Sequence, residues 1–328
     1  MIIKGCEIMT ATHYLGLLGG LALFLLGMNM LSQGLTSGLG ERLEIILLKL
    51  TNHRMKAIGV GILLTALIQS SSAMSVILIG FLNAHIMTLK RAIWIMMGAN
   101  IGTTITGQMI ALDIGAFAPA LSFIGVLFYL ISQGIKQLIG QVMMALGLLF
   151  MGLEMMSQSM LPLQHSSWII GLFMQLQNPL LCVGMGMLFT ALIQSSSASV
   201  GILQILAMQQ LVSFQQSVYL LLGFDLGTCI TGFLASLSGC RNGKRLALFH
   251  FLFNLVGAMS FLVLCQCLPL IDMIKNISPL SPNHQIANMH TFYNILTTFI
   301  VLLCEPYLMK VIQWIYPSHY KNHGSRNQ

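Results

Sequence analysis

The nine residues Thr65-Ala66-Leu67-Ile68-Gln69-Ser70-Ser71-Ser72-Ala73 return, letter for letter, as Thr190-Ala191-Leu192-Ile193-Gln194-Ser195-Ser196-Ser197-Ala198. Each copy sets a polar tetrad, Gln69 to Ser72 or Gln194 to Ser197, inside an otherwise apolar run. In lipid, such polar groups need partners within the protein or a ligand. What the two tetrads face therefore constrains every other segment.

Composition puts them in lipid. The 328 residues are 56% hydrophobic and 7% charged, with mean hydropathy +0.84, whereas a soluble domain carries about 25% charged residues. Apolar runs of about 20 residues recur, enough to cross a hydrocarbon core of roughly 30 Å. The chain reads as an all-α polytopic membrane protein. Its 31 glycines suit close helix approach, and its 24 methionines suit gap filling between helices. The net charge of +7 comes from Lys and Arg in short loops, the positive-inside pattern of a membrane protein, which excludes a nucleic-acid partner. The seven cysteines form no C-x-x-C pair, so neither a disulfide framework nor a zinc site is indicated. Residues 1–12 lack a cleavage-site pattern, and no cleaved signal peptide is expected.

Seven spans are expected: Tyr14–Ser37, Ala92–Leu112, Ala116–Ile135, Gln141–Met160, Val218–Leu237, Leu246–Leu268 and Ala287–Tyr316. Glu41 to Lys56 reads as an amphipathic surface stretch. Residues 57–84 and 180–208 flank the tetrads with arms too short to span, so each reads as a re-entrant helical hairpin with the tetrad at its tip.

The tetrads lie 125 positions apart (194 minus 69), and the offset extends well beyond them. Gly27 pairs with Gly152, Gly59 and Gly61 with Gly184 and Gly186, Gly98 with Gly223, and Gly102-Thr103 with Gly227-Thr228. Such self-similarity marks a duplicated fold unit. Three crossings per unit leave the second copy inverted. This gives an N-terminal segment outside (1–13), repeat one (14–138), inverted repeat two (139–268), a loop with the final span (269–316) and a cytoplasmic tail (317–328). Of the 15 Lys and Arg, all but Lys4 and Lys275 then fall on one side, which the positive-inside rule makes cytoplasmic. Inverted repeats with interrupted helices point to an alternating-access transporter.

A lone serine in a membrane helix is ordinarily a packing or hydrogen-bonding residue. Two identical tetrads at inverted tips are a different case. The second arm of each hairpin would present free N–H groups and a positive dipole end, an anion site. Gln69, Ser70, Ser71, Ser72, Gln194, Ser195, Ser196 and Ser197 are thus the substrate-binding candidates. No Lys or Arg accompanies them, so a bound anion needs co-bound cations. Gly98-x-x-x-Gly102 and Gly223-x-x-x-Gly227 read either as helix packing or, with Asn100 and Asp225 between the glycines, as unwound mid-span segments that lend oxygens to a hard cation. Thr103, Thr106, Thr228 and Thr231 offer further hydroxyls. His250 and His290, 40 apart, read as capping or packing histidines before metal or proton-relay ones, and Asn254 and Asn294 as interhelical hydrogen-bonding residues. Glu154 and Asp113 sit near span ends, within reach of water.

Together these residues resemble the type II sodium–phosphate cotransporter family. The paired Gln-Ser-Ser-Ser tetrads look like its signature, Gly98-Ala99-Asn100-Ile101-Gly102-Thr103-Thr104 like its second motif, and His250 to Asn254 and His290 to Asn294 like its His-x-x-Phe-Asn elements. The resemblance runs from residue 15 to about residue 305. It implies sodium-coupled phosphate transport in a bacterial inner membrane, phosphate between the tips, and Na+ near Gln69, Ser71, Asn100, Thr103, Thr104, Gln194, Ser196, Asp225 and Thr228. No organic cofactor is expected, and a homodimer is left open. The chain departs from the family at Phe224-Asp225 and at Tyr293, and it is expected to lack the helical cytoplasmic domain that many bacterial relatives carry after the last span. Phosphate export or transport of another oxyanion is the nearest alternative. An intramembrane serine hydrolase is the remote one, since neither tetrad sits in a Gly-x-Ser-x-Gly elbow.

Overall fold

The computed structural model describes residues 10–37, 42–112, 114–165, 171, 177–278 and 281–317. Residues 1–9 of the expected N-terminal segment, Asp113, and residues 318–328 of the expected tail lie outside the described residues. Secondary structure among the described residues is helical throughout. The first half contains α1 (Ala11–Thr36), α2 (Arg42–Lys49), α3 (Arg54–Ile68), α4 (Ser71–Asn83), α5 (Leu89–Ile110), α6 (Ala118–Ile131) and α7 (Ile135–Met160). Then come α8 (Pro179–Ile193), α9 (Ser196–Met208), α10 (Phe214–Ser236), α11 (Arg241–Cys267), α12 (Leu270–Ile277) and α13 (Pro282–Ile315).

Five of these are long and apolar enough to cross a membrane: α1, α7 with its following turn, α10, α11 and α13. A sixth follows if α5 and Gly115–Ile131 are taken as one bent span. Against the expected seven, five or six pass on length and composition among the described residues. α5 has 22 residues but carries Lys90, Arg91, Asn100, Gln108 and three threonines. α6 is apolar, yet its 14 residues reach only about 21 Å at 1.5 Å per residue. The amphipathic stretch at 41–56 also divides differently, since α3 begins at Arg54.

The 125-residue offset is written into the helix boundaries. Adding 125 to α3 gives 179–193, the bounds of α8, and adding it to α4 gives 196–208, the bounds of α9. α10 starts at 214, which is 89 plus 125. Local signals set these ends: His53 Nδ1 accepts from Met55 N at 3.3 Å, Asn178 Oδ1 from Leu180 N at 2.9 Å, and Ser213 caps α10 together with Gln216.

Packing follows the same duplication. α3 lies along α5, and α8 along α10. A Cβ placed on Gly61 would sit 2.1 Å from the Ile95 carbonyl oxygen, and one on Gly98 would sit 2.0 Å from that of Ile58. The second copy repeats both contacts, at 2.4 Å for Gly186 on Leu220 O and 2.2 Å for Gly223 on Val183 O. These helices touch backbone to backbone, as small residues permit in lipid. By contrast α4 and α9 cross over: α4 packs on α10 and α11, while α9 packs on α5 and α13. α1 and α6 flank α7, and α11 pairs with α13.

Candidate functional site

Both tetrads break a helix in the same way. Gln69 and Gln194 end α3 and α8 in the left-handed region, at φ 57 and 58, and their N–H groups donate to Thr65 O and Thr190 O, both at 2.7 Å. The following serines, Ser70 and Ser195, are extended and cap the next helix: Ser70 Oγ accepts from Ala73 N at 3.1 Å, Ser195 Oγ from Ala198 N at 3.3 Å. A left-handed Gln followed at once by an N-capping Ser is what lets one helix stop and another start across a single residue. The N-termini of α4 and α9 thus open at Ser71 and Ser196 with their first N–H groups unspent within the helix.

The surroundings of the two breaks differ. Gln69 is buried: its Oε1 accepts from Thr106 Oγ1 at 2.7 Å, while its Nε2 donates to Ala66 O. Gln194 is exposed. Among the described residues, no hydrogen bond engages the side chains of Ser71, Ser72, Gln194, Ser196 or Ser197, and none joins one tetrad to the other.

The glycine motifs are not unwound. α5 runs unbroken from Leu89 to Ile110 and α10 from Phe214 to Ser236, which corrects the expectation of mid-span breaks. The glycines are there because α3 and α8 press on them: a Cβ on Gly102 would lie 2.6 Å from Ile62 O, and one on Gly227 would lie 2.3 Å from Met187 O. The hydroxyls of Thr103 and Thr228 donate to their own helices, to Ala99 O at 3.0 Å and Phe224 O at 2.9 Å. Thr104 accepts from Thr291 Oγ1 at 3.1 Å, and Thr231 donates to Thr228 O.

Asn100 and Asp225 belong to one buried polar chain that crosses between the repeats. His250 Nε2 meets Asn100 Oδ1 at 3.2 Å, and Asn100 Nδ2 donates to Asn254 Oδ1 at 2.8 Å. Asn254 Nδ2 in turn donates to the backbone oxygen of Asp225 at 3.0 Å. The Asp225 carboxylate is held by His290 Nε2 at 3.1 and 3.3 Å and by Asn294 Nδ2 at 2.8 Å. Side-chain exposure is 1% for His290 and 8% for Asp225. Each His-x-x-x-Asn element thus grips one copy of the same position: α11 holds Asn100, α13 holds Asp225. Asn294 Oδ1 is buried without a partner among the described residues, an oxygen beside a carboxylate, which is the donor chemistry a hard cation takes.

The histidines are therefore neither caps nor fillers; they lie well inside α11 and α13. Their partners are 150 and 65 residues away, beyond any local pattern. The recurrence of His-x-x-x-Asn at an offset of 40 (290 minus 250) was the available signal.

A family model described as Na+/Pi-cotransporter matches residues 23–158 and 167–273. An uncharacterized protein of Bacillus subtilis, YqeW, is 31% identical over 296 residues, 90% of this chain and 95% of that protein. YjbB of Escherichia coli, named an inorganic phosphate export protein, is 29% identical over 293 residues, 88% of this chain but 53% of its own length. This chain thus spans about half of that relative. Human sodium-dependent phosphate transport protein 2B is 45% identical over 53 residues, 16% of this chain and 8% of that protein. No solved structure matches.

Proposed function

The chain belongs to the Na+/Pi-cotransporter family, and from that premise we propose that it carries inorganic phosphate across the membrane together with Na+, by alternating access and without covalent catalysis. The observation that carries this reading is the duplicated break: two tetrads, each a left-handed Gln followed by a capping Ser at a fresh helix N-terminus.

Several contacts support hairpins and inversion. Ile58 meets Gly98 and Ile62 meets Gly102, so α3 and α5 run in the same direction and α4, between them, turns back. The matching contacts of Val183 with Gly223 and Met187 with Gly227 give α8, α9 and α10 the same course. Trp94, near the start of α5, donates to Glu305 late in α13 at 3.2 Å. Arg245, near the start of α11 and just past the end of α10, donates to Tyr316 O at the end of α13. α5 thus begins where α10 finishes, and the two units run in opposite senses. The same end holds Arg54, Lys90 and Arg245, as a cytoplasmic face would in a bacterial inner membrane.

Phosphate binds between the tips, on Gln69, Ser70, Ser71, Ser72, Gln194, Ser195, Ser196 and Ser197. Ser hydroxyls and helix N-terminal N–H groups are its donors. Na+, travelling as co-substrate, offsets its charge at oxygens of Gln69, Ser71, Asn100, Thr103, Thr104, Gln194, Ser196, Asp225 and Thr228. The Thr hydroxyl protons are spent on backbone carbonyls, which leaves oxygen lone pairs for a cation. Each charge crossing is worth about 2.3 kcal/mol per 100 mV, so divalent phosphate entering a negative interior pays about twice that and needs accompanying cations. The name of YjbB favours the reverse direction, export, as the second reading.

Proteoliposomes with Na+ gradients of either sense test both. Radiolabelled phosphate should follow the Na+ gradient, and the sense in which it accumulates fixes the direction. Sodium-independent flux, or none, would sink the proposal. Equal competition by sulfate would move the substrate to another oxyanion.

A further inference from the structure

Further along α9 from the second tetrad, a cavity of about 50 Å³ lies between α7, α9 and the start of α13. A single water needs on the order of 10–15 Å³ by this measure, so there is room for an ion with part of its hydration shell. Its polar lining is Glu154, Ser157, Gln204 and Asn283, against Ile205 and Met208. No Lys, Arg or His is among the described lining residues.

The polar atoms are mostly acceptors. Gln204 is 1% exposed, and its Nε2 is committed to two backbone oxygens, Gly107 O at 3.1 Å and Asn283 O at 3.2 Å. Those two bonds fix which end of the amide is which. They leave Gln204 Oε1 buried without a partner among the described residues, and Asn283 Oδ1, on a residue 6% exposed, is in the same condition. A buried acceptor left without a partner is costly, and here two such oxygens belong to residues that line one cavity. Glu154 is exposed at the same cavity. Its Oε1 accepts from Gln158 Nε2 at 2.9 Å, and its second oxygen has no hydrogen-bond partner among the described residues.

We propose that this cavity is a binding site for one hard monovalent cation, coordinated by Gln204 Oε1 and Asn283 Oδ1 and charge-balanced by the Glu154 carboxylate. Amide and carboxylate oxygens are the ligands hard cations select. One carboxylate balances a single positive charge and leaves a divalent ion half compensated. An anion would meet Glu154 and no cationic partner. The site adjoins the first tetrad without being part of it: Gln204 holds Gly107, and the preceding residue, Thr106, holds Gln69. A cation here lies beside the first break whatever the transported anion is.

Equilibrium binding of radioactive Na+ to the purified full chain, with phosphate absent and choline replacing Na+, tests the site independently of transport. One saturable component of the binding should weaken at least about tenfold in Glu154→Gln, within the roughly 10–100-fold range for losing a supporting partner of a metal site. It should be lost in Gln204→Leu and persist when Ser70→Ala and Ser195→Ala are combined. Glu154 is exposed, so its variant folds whatever the fate of the Leu substitution. Wild-type binding in both cavity variants overturns the proposal, and so does a Na+ component that disappears only with the tetrad serines. Because no phosphate is present, failure here leaves the transport reading standing, and failure of transport leaves this site standing.

Discussion

Asn100 and Asp225 occupy one position in two copies of a motif, yet only Asp225 is an acid, and His290 and Asn294 hydrogen-bond its carboxyl group. Leaving a buried polar group without its hydrogen-bond partner costs about 1–3 kcal/mol, so His290→Ala should lower the unfolding temperature. Adding Asp225→Asn should recover part of that loss, because an amide is less costly than a carboxyl group to bury without its partner. A double-mutant cycle by thermal unfolding in detergent measures this coupling. Asp225→Asn alone should fold, since His250 already holds an Asn in the first copy. It should raise the Na+ concentration for half-maximal phosphate flux; an unchanged sodium dependence would remove Asp225 from the cation site. Asp225 stood out in the sequence because the 125 offset supplied its counterpart. Its partners did not: histidines on α11 and α13 reach it, or its counterpart, only through packing that no local spacing encodes.

At the scale of elements, the glycines separate into those that carry a contact and those that do not. Gly61 faces the Ile95 carbonyl oxygen at 2.1 Å from its virtual Cβ, while a Cβ on Gly59 would meet no atom of another element within 4 Å among the described residues. Gly61→Ala should cost about 1–3 kcal/mol, as overpacking does, and impair transport by parting α3 from α5. Gly59→Ala should be silent in the same thermal-unfolding and flux measurements. The second copy repeats the contrast at Gly186 and Gly184. Helix starts were legible because the tetrad itself names them: a Ser that can cap follows the residue that stops the helix. Span number was less legible, since α5 and α6 divide length and apolarity between them, and neither passes alone. The glycine pairs misled in one respect, because a small residue signals close approach and a local unwinding with the same letters.

At the scale of the whole molecule, the two breaks stand in unequal surroundings: Gln69 is 5% exposed and packed on Thr106, whereas Gln194 is exposed. In a background without native cysteines, Gln194→Cys should react with a polar maleimide many times faster than Gln69→Cys. Equal rates would mean that the two breaks exchange rapidly. The crossed packing, α4 on α10 and α9 on α5, also bears on how the protein is made. After Asn83 leaves the ribosome, 130 residues (213 minus 83) follow before α10 begins. At about 5–20 residues per second that is a wait of roughly 7 to 26 s. Through that interval the first Gln-Ser-Ser-Ser sits in the nascent chain without the helix that α4 packs on. The emerging half must be sheltered by the insertion machinery, and a ribosome stalled before residue 214 should leave Ser71, buried in the finished protein, open to labels.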